Sequence, residues 1–327
     1  MRVLVTGGSG FIGTNIVERL VGQGHRVRSL DCAPPQAAAH CEHFAQVDLL
    51  DAAALRRHAR EFAPHQVVHL AARTDLAETT SIAGYAANTT GVRNLLDALD
   101  GLASLQRVLF VSTKLVCPTD YCPRHDEDYC PDTLYGESKV EGERIVRAAG
   151  ALPYAWCFVR PTSIWGPWFG IPYRGFFEAI ARRRYFHLGR ADESKRFGYV
   201  GNSVHQLEQL MLAQRERIQG RVFYLADYEP YTIRGWADSI GRSMGLPPAK
   251  TLPRWLCRAG GKAGDVLQKA GLKNPPLTSF RLRNMWADTS RTPLETMQEV
   301  APQLPFSMEE GVRETVTWMR CNAKQPP

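Results

Sequence analysis

The sequence predicts an α/β fold: a Rossmann-like doubly wound parallel sheet with a smaller, interleaved C-terminal region. Three observations predict it. Short apolar runs alternate with helical periodicity through the first half of the chain. A glycine-rich turn separates the first run from the first helix. The 327 residues, 44% hydrophobic and 22% charged, suffice to bury a large core and exclude both a disordered chain and a disulfide-stapled miniprotein.

Arg2 to Thr6 reads as a buried strand and Phe11 to Gly22 as a helix with Ile12, Ile16, Val17 and Leu20 on its apolar face. Arg26 to Leu30 is a second strand, Gln66 to Leu70 a later short run, Thr90 to Leu99 a helix and Arg107 to Ser112 another strand. Strands alternating with helices imply a parallel sheet covered on both faces. The second half is less regular, with helices expected at Val204 to Gln214, Ile233 to Met244 and Met308 to Met319. The expected division is a dinucleotide-binding domain over 1–168, a mainly substrate-binding region over 169–320 from which a strand near 197–225 returns to the sheet, and a frayed tail over 321–327.

The formal charge of +7 points to an anionic partner: nucleic acid, a membrane surface or a phosphorylated small molecule. Arginine outnumbers lysine, 32 to 8, but the arginines are scattered and only Arg182-Arg183-Arg184 forms a run, which argues against nucleic acid. The eight cysteines contain no C-x-x-C pair, and His40-Cys41-Glu42-His43 lacks the spacing of a structural metal site, so no metal is expected. No run of 18 apolar residues and no secretory leader pattern is present, so the expectation is a cytoplasmic protein with free thiols and no membrane partner.

The segment Val5-Thr6-Gly7-Gly8-Ser9-Gly10-Phe11-Ile12-Gly13 joins the first strand to the first helix. In that position Gly7 permits the tight turn, Gly10 lets backbone amides approach a pyrophosphate, and Gly13 lets the helix pack on the sheet, while the helix N-terminus holds the anion. Asp31 follows the second strand, where a carboxylate accepts hydrogen bonds from an adenosine ribose and repels a 2′-phosphate. NAD is therefore expected rather than NADP. Asp48-Leu49 is placed either at the adenine or, for Asp48, at the cap of a helix from Leu50 onward.

These features, with several others in order, resemble the extended short-chain dehydrogenase/reductase family, the nucleotide-sugar epimerase/dehydratase group. Thr6 to Gly13 resembles its T-G-G-x-G-F-I-G start, His69-Leu70-Ala71-Ala72 its H-L-A-A strand end, and Asn88 to Leu96 its N-x-x-G-x-x-N-L-L helix. Tyr135 to Lys139 resembles its Y-x-x-x-K pair, Arg160-Pro161 with Gly166-Pro167 its R-P-x-x-x-x-G-P, and Ala287 to Arg291 with Glu309-Glu310-Gly311 its closing segment. The resemblance implies that Gly7, Gly10, Phe11, Ile12, Gly13, Asp31, Asp48, Leu49, Leu70, Ala71, Ala72, Asn88, Tyr135, Lys139 and Pro161 hold NAD. It places Thr74, Ser163, Arg196 and Arg283 on the substrate, with Arg281 a further candidate, and implies a homodimer through two helices per subunit.

The chemistry of the pair has its own argument. Tyr135 and Lys139, at i and i+4, share one helical face. An ammonium and an oxidised nicotinamide beside the phenol would both favour the phenolate, allowing it to take a proton from a substrate alcohol as hydride leaves the same carbon. The third partner is expected to be a strand-end hydroxyl, Thr113 by alignment of Val116 with the family valine, or Ser112.

Some letters depart from the family. Thr113-Lys114-Leu115 replaces the T-D-E of its dehydratases, Cys117-Pro118 its Y-G, and Ser163 the asparagine of R-P-x-N. The resulting expectation is an epimerase acting at C4 of a nucleotide-diphosphate sugar. A 4-ketoreductase or alcohol dehydrogenase on a sugar or sterol-like substrate is the alternative, kept open by the apolar insert Leu252 to Met285. A dinucleotide sensor without chemistry fits least.

Overall fold

The structure is a computed structural model that describes residues 1–76, 78, 80–189, 193–270, 272, 278–279, 282, 286, 288 and 291–322. Its first half runs β1 (Arg2–Thr6), α1 (Phe11–Gly22), β2 (Arg26–Asp31), β3 (Phe44–Gln46), α2 (Ala52–Phe62), β4 (Gln66–His69), α3 (Ala86–Leu99), β5 (Arg107–Val111), α4 (Leu134–Ala148) and β6 (Ala155–Pro161). The second half runs β7 (Ser163–Trp165), α5 (Tyr173–Ala181), β8 (His187–Leu188), β9 (Ser194–Lys195), β10 (Phe197–Tyr199), α6 (Val200–Leu212), α7 (Arg215–Ile218), β11 (Val222–Leu225), β12 (Tyr231–Thr232), α8 (Ile233–Ser243), β13 (Thr251–Leu252) and α9 (Arg254–Lys269). The helices Glu295–Val300 and Met308–Cys321 follow.

Seven strands form one parallel sheet in the order β11-β6-β5-β4-β1-β2-β3. The strand order reverses between β1 and β4, and such a reversal leaves a crevice at the C-terminal strand ends. Alternation along β1 divides the core: Val3 and Val5 pack with α1 and α6 on one face, and Leu4 with α2 and α3 on the other. Both faces being covered explains the near-continuous apolar strands. The C-terminal region packs around buried Trp236, whose ring lies 4.9 Å from Phe176, 5.2 Å from Trp165 and 5.0 Å from Phe197.

Several boundaries differ from the sequence reading. Helix α3 begins at Ala86 rather than Thr90, because a one-turn helix, Ile82–Tyr85, feeds directly into it. Helix α6 begins at Val200 and packs against β10 and β5, earlier than its apolar periodicity suggests. The cap of α2 is Asp51, which accepts from Ala54 N at 2.9 Å, whereas Asp48 only closes a turn by accepting from Leu50 N at 2.9 Å. Residues 323–327 of the tail lie outside the described residues.

Candidate active site

The switch between β1 and β4 opens into a cleft of about 1020 Å³ that runs over the C-terminal strand ends. Gly7, Gly10, Phe11, Ile12, Gly13, Asp31, Asp48, Leu49, Leu70, Ala71, Ala72 and Pro161 all line it. Gly7 sits at φ +75°, and a Cβ there would come 2.5 Å from Ala71 N. A Cβ on Gly13 would collide with the Gly7 carbonyl and approach Gly8 Cα to 2.7 Å. No side chain caps α1 and its first turn holds no acid, so the amides from Phe11 onward are left to a ligand in the cleft.

Asp31 ends β2 beside that turn. Its carboxylate is fixed by two amides, accepting from Ser9 N and from Ala33 N, each at 3.0 Å. This cradle fits a dinucleotide: a small-residue turn and open helix end for the pyrophosphate, and an oriented acid at the ribose position. Asn88 differs from the expectation, since it is not among the residues that line the cleft. It is buried as a bracket, accepting from Arg73 N at 2.8 Å, donating to Arg73 O at 2.9 Å and to Ser138 Oγ at 2.8 Å. It thereby ties the segment after β4 to α4.

Helix α4 starts where Thr133 Oγ1 accepts from Gly136 N at 3.0 Å. Gly136 packs so closely that a Cβ would strike the Leu115 carbonyl, and this approach brings Tyr135 to the end of β5. Thr113, Tyr135 and Lys139 all line the cleft. Both candidate hydroxyls, Ser112 and Thr113, line the cleft with Tyr135, and Ser112 Oγ is buried with no hydrogen-bond partner. Thr113 Oγ1 accepts from Leu115 N at 3.2 Å, which fixes its rotamer.

Burial pushes the Tyr135 phenol up to about 12, with the nearby Thr113 hydroxyl working against it. Burial also brings Lys139 down to about 8, with Glu143 pulling it back up. The Lys139 ammonium donates to Val111 O at 2.8 Å. Glu143 is itself held by Arg160 in a fully buried pair at 2.7 Å, to which Tyr129 adds a 2.8 Å hydrogen bond.

Thr74, Ser163 and Arg196, expected on the substrate, also line the cleft. Arg281 and Arg283 lie outside the described residues. Arg196 donates through Nη1 to the carbonyls of Tyr228 and, at 3.5 Å, Asp227. Lys114 also lines the cleft, a role sequence reasoning missed: its substitution for an acid was visible only as a departure from the family pattern. It is buried, donates to Thr119 O at 2.9 Å and Thr292 Oγ1 at 3.3 Å, and its ammonium is lowered first by burial and in part by Arg196.

Comparison with known proteins agrees with this geometry. The chain is 30% identical over 258 residues to a 3 beta-hydroxysteroid dehydrogenase/Delta 5-->4-isomerase of Mycobacterium tuberculosis, covering 75% of this chain and 70% of that protein. It is 25% identical over 334 residues, 99% of this chain and 97% of the other, to an N-acetyl-alpha-D-glucosaminyl-diphospho-ditrans,octacis-undecaprenol 4-epimerase of Escherichia coli O157:H7. Among solved structures, a putative epimerase from Burkholderia cenocepacia J2315 superposes with a TM-score of 0.75 at 25% identity, with 98% of each chain covered. Residues 3–223, which hold the glycine turn and the Thr113, Tyr135 and Lys139 set, match the family model directly, and the chain belongs to the NAD dependent epimerase/dehydratase family.

Proposed function

We propose that this enzyme is an NAD-dependent epimerase that inverts C4 of a nucleotide-diphosphate sugar through a transient 4-keto sugar. The observation that carries the reading is that Lys114 and Arg196 both line the cleft that holds Tyr135. Two cationic side chains in one cleft can meet a diphosphate with charge-assisted hydrogen bonds.

Thr113 holds the substrate hydroxyl and Tyr135 Oη within one hydrogen-bonded set. Tyr135 takes the proton from that hydroxyl, and returns it after the sugar has presented its other face. NAD, when bound, supplies the hydride acceptor and a positive ring beside the phenol. Lys139 holds its proton next to the nicotinamide ribose position, kept there by the Val111 carbonyl. Gly10 to Gly13 and Asp31 hold the pyrophosphate and ribose. Each turnover then leaves the cofactor unchanged.

A second reading, a dehydrogenase or ketoreductase of an apolar alcohol, draws on the wall formed by Leu115, Ile164, Phe169 and Ile171 and on the hydroxysteroid dehydrogenase relative. Denaturing the purified protein and measuring released dinucleotide separates the two. Stoichiometric NAD together with epimerisation of one member of a nucleotide-sugar panel supports the first. Empty protein that turns over only with added dinucleotide, and only on an apolar alcohol or ketone, refutes it.

A further inference from the structure

Helix α9 presents an apolar face to solvent. On a helical projection Trp255, Val266, Ala259, Ala270, Ala263, Leu256 and Leu267 fall on one continuous arc, Ala270 being the cap residue, and every one of them is exposed. Trp255 is 70% exposed and Val266 65%, values a tryptophan and a valine on an ordinary surface helix seldom reach. The opposite side carries the buried Cys257, Gly261 and Gly264 together with the exposed Gln268, and a Cβ on Gly261 would meet Leu282 Cδ1 at 2.7 Å. The helix is therefore seated by its small residues and turns its large apolar ones outward, the reverse of a helix packed on a core.

Along one edge of the apolar arc run Arg254, Arg258 and Lys262. The Trp286 ring organises two of them, with Arg254 5.1 Å and Arg258 6.0 Å from its centroid. The acid on this helix, Asp265, is engaged by Ser279 N at 3.0 Å. An apolar arc with a tryptophan, bordered by cations on a chain of net charge +7, is complementary to the headgroup region of an anionic bilayer. Among the described residues no helix is long and apolar enough to cross a membrane, so the contact is one of lying on the surface. At its N-terminal end the helix is tied by Arg254 to Glu193 at 3.3 Å, three residues before Arg196 of the cleft.

We infer that α9 docks this enzyme on the surface of an anionic lipid bilayer, with Trp255, Leu256, Val266 and Leu267 in the interface and Arg258 and Lys262 at the headgroups. The inference does not depend on the identity of the substrate. Co-sedimentation of the full chain with phosphatidylcholine vesicles, with and without phosphatidylglycerol, tests it. Binding is expected to the phosphatidylglycerol vesicles, reversed by salt, and absent with phosphatidylcholine alone. Lys262→Glu should weaken it roughly tenfold, and Trp255→Ser with Val266→Ser should abolish it while NAD content and melting temperature stay at the parent values. Equal sedimentation of parent and Trp255→Ser/Val266→Ser protein, or none by either, overturns the inference. So does a dimer, detected by light scattering, that the double variant dissociates while neither protein binds vesicles, since the face would then belong to a second copy.

Discussion

The ammonium of Lys139 donates a 2.8 Å hydrogen bond to the carbonyl of Val111, the last residue of β5. The same strand end continues into Ser112 and Thr113, so one backbone segment anchors the lysine and carries two hydroxyl residues that line the cleft with Tyr135. Helix α4 and the end of β5 are thereby locked to each other, and the geometry of the phenol follows from that lock rather than from the i, i+4 spacing alone.

Replacing Tyr135 with Phe removes the proton acceptor and little else. We predict that kcat falls by roughly 10²–10⁴-fold. Bound dinucleotide, measured by absorbance after denaturation, should stay at the parent level. Turnover near the parent rate would falsify the assignment of Tyr135 as the base.

The glycine turn makes a sharper prediction about binding. A Cβ on Gly13 collides with the Gly7 carbonyl, so Gly13→Ala should displace the turn from α1 and lower dinucleotide affinity by roughly a hundredfold. Isothermal titration with NAD would show it, and an unchanged dissociation constant would remove the turn from the site.

Asp31 should set cofactor choice. Its carboxylate faces the cleft with its orientation fixed by Ser9 N and Ala33 N, and Asp31→Ala should therefore lower the ratio of NAD to NADP affinity by about tenfold or more. Competitive titrations with both dinucleotides give that ratio directly. A ratio equal to the parent's would move ribose recognition elsewhere.

The buried Arg160 and Glu143 pair separates charge burial from packing. Arg160→Met alone should destabilise the fold by about 3–5 kcal/mol, since Glu143 is left buried without its guanidinium partner. Adding Glu143→Leu should recover part of that loss. Urea unfolding of the two variants tests the order, and a double variant less stable than the single would contradict it.

His69 supplies a pH dependence. It lies fully buried in β4, hydrogen-bonded to Thr6 Oγ1 at 2.7 Å, and burial, with a smaller contribution from Lys139, lowers it from 6.5 to about 3. Because the folded value is depressed, the stability it contributes is present above pH 6.5 and is lost as pH falls toward 3. The loss is on the order of 4 kcal/mol. In His69→Asn that part of the acid slope should vanish, and identical slopes in stability against pH between 7 and 4 would refute the role.

The alternation of apolar runs and amphipathic helices, the glycine turn and the Tyr135 and Lys139 spacing were legible because each is local. A strand must hide both faces, a helix one, and a turn at φ +75° needs glycine, so each leaves its mark within a few residues. Helix starts were read less well where tertiary contacts rather than periodicity recruit the first turn, as at Ala86 and Val200.

What the sequence by itself determined was the strand and helix alternation of the sheet, the glycine turn and the one-face spacing of Tyr135 and Lys139. Only the tertiary structure set Thr113 and Tyr135 in one cleft, turned Asn88 into a bracket, placed Lys114 and Arg196 in that same cleft, and left Trp255 and Val266 facing outward. The physical reason is that these relations join residues distant along the chain. Their meeting is set by crossover connections and by the dehydration of the whole assembly, which is also what pushes the Tyr135 phenol up.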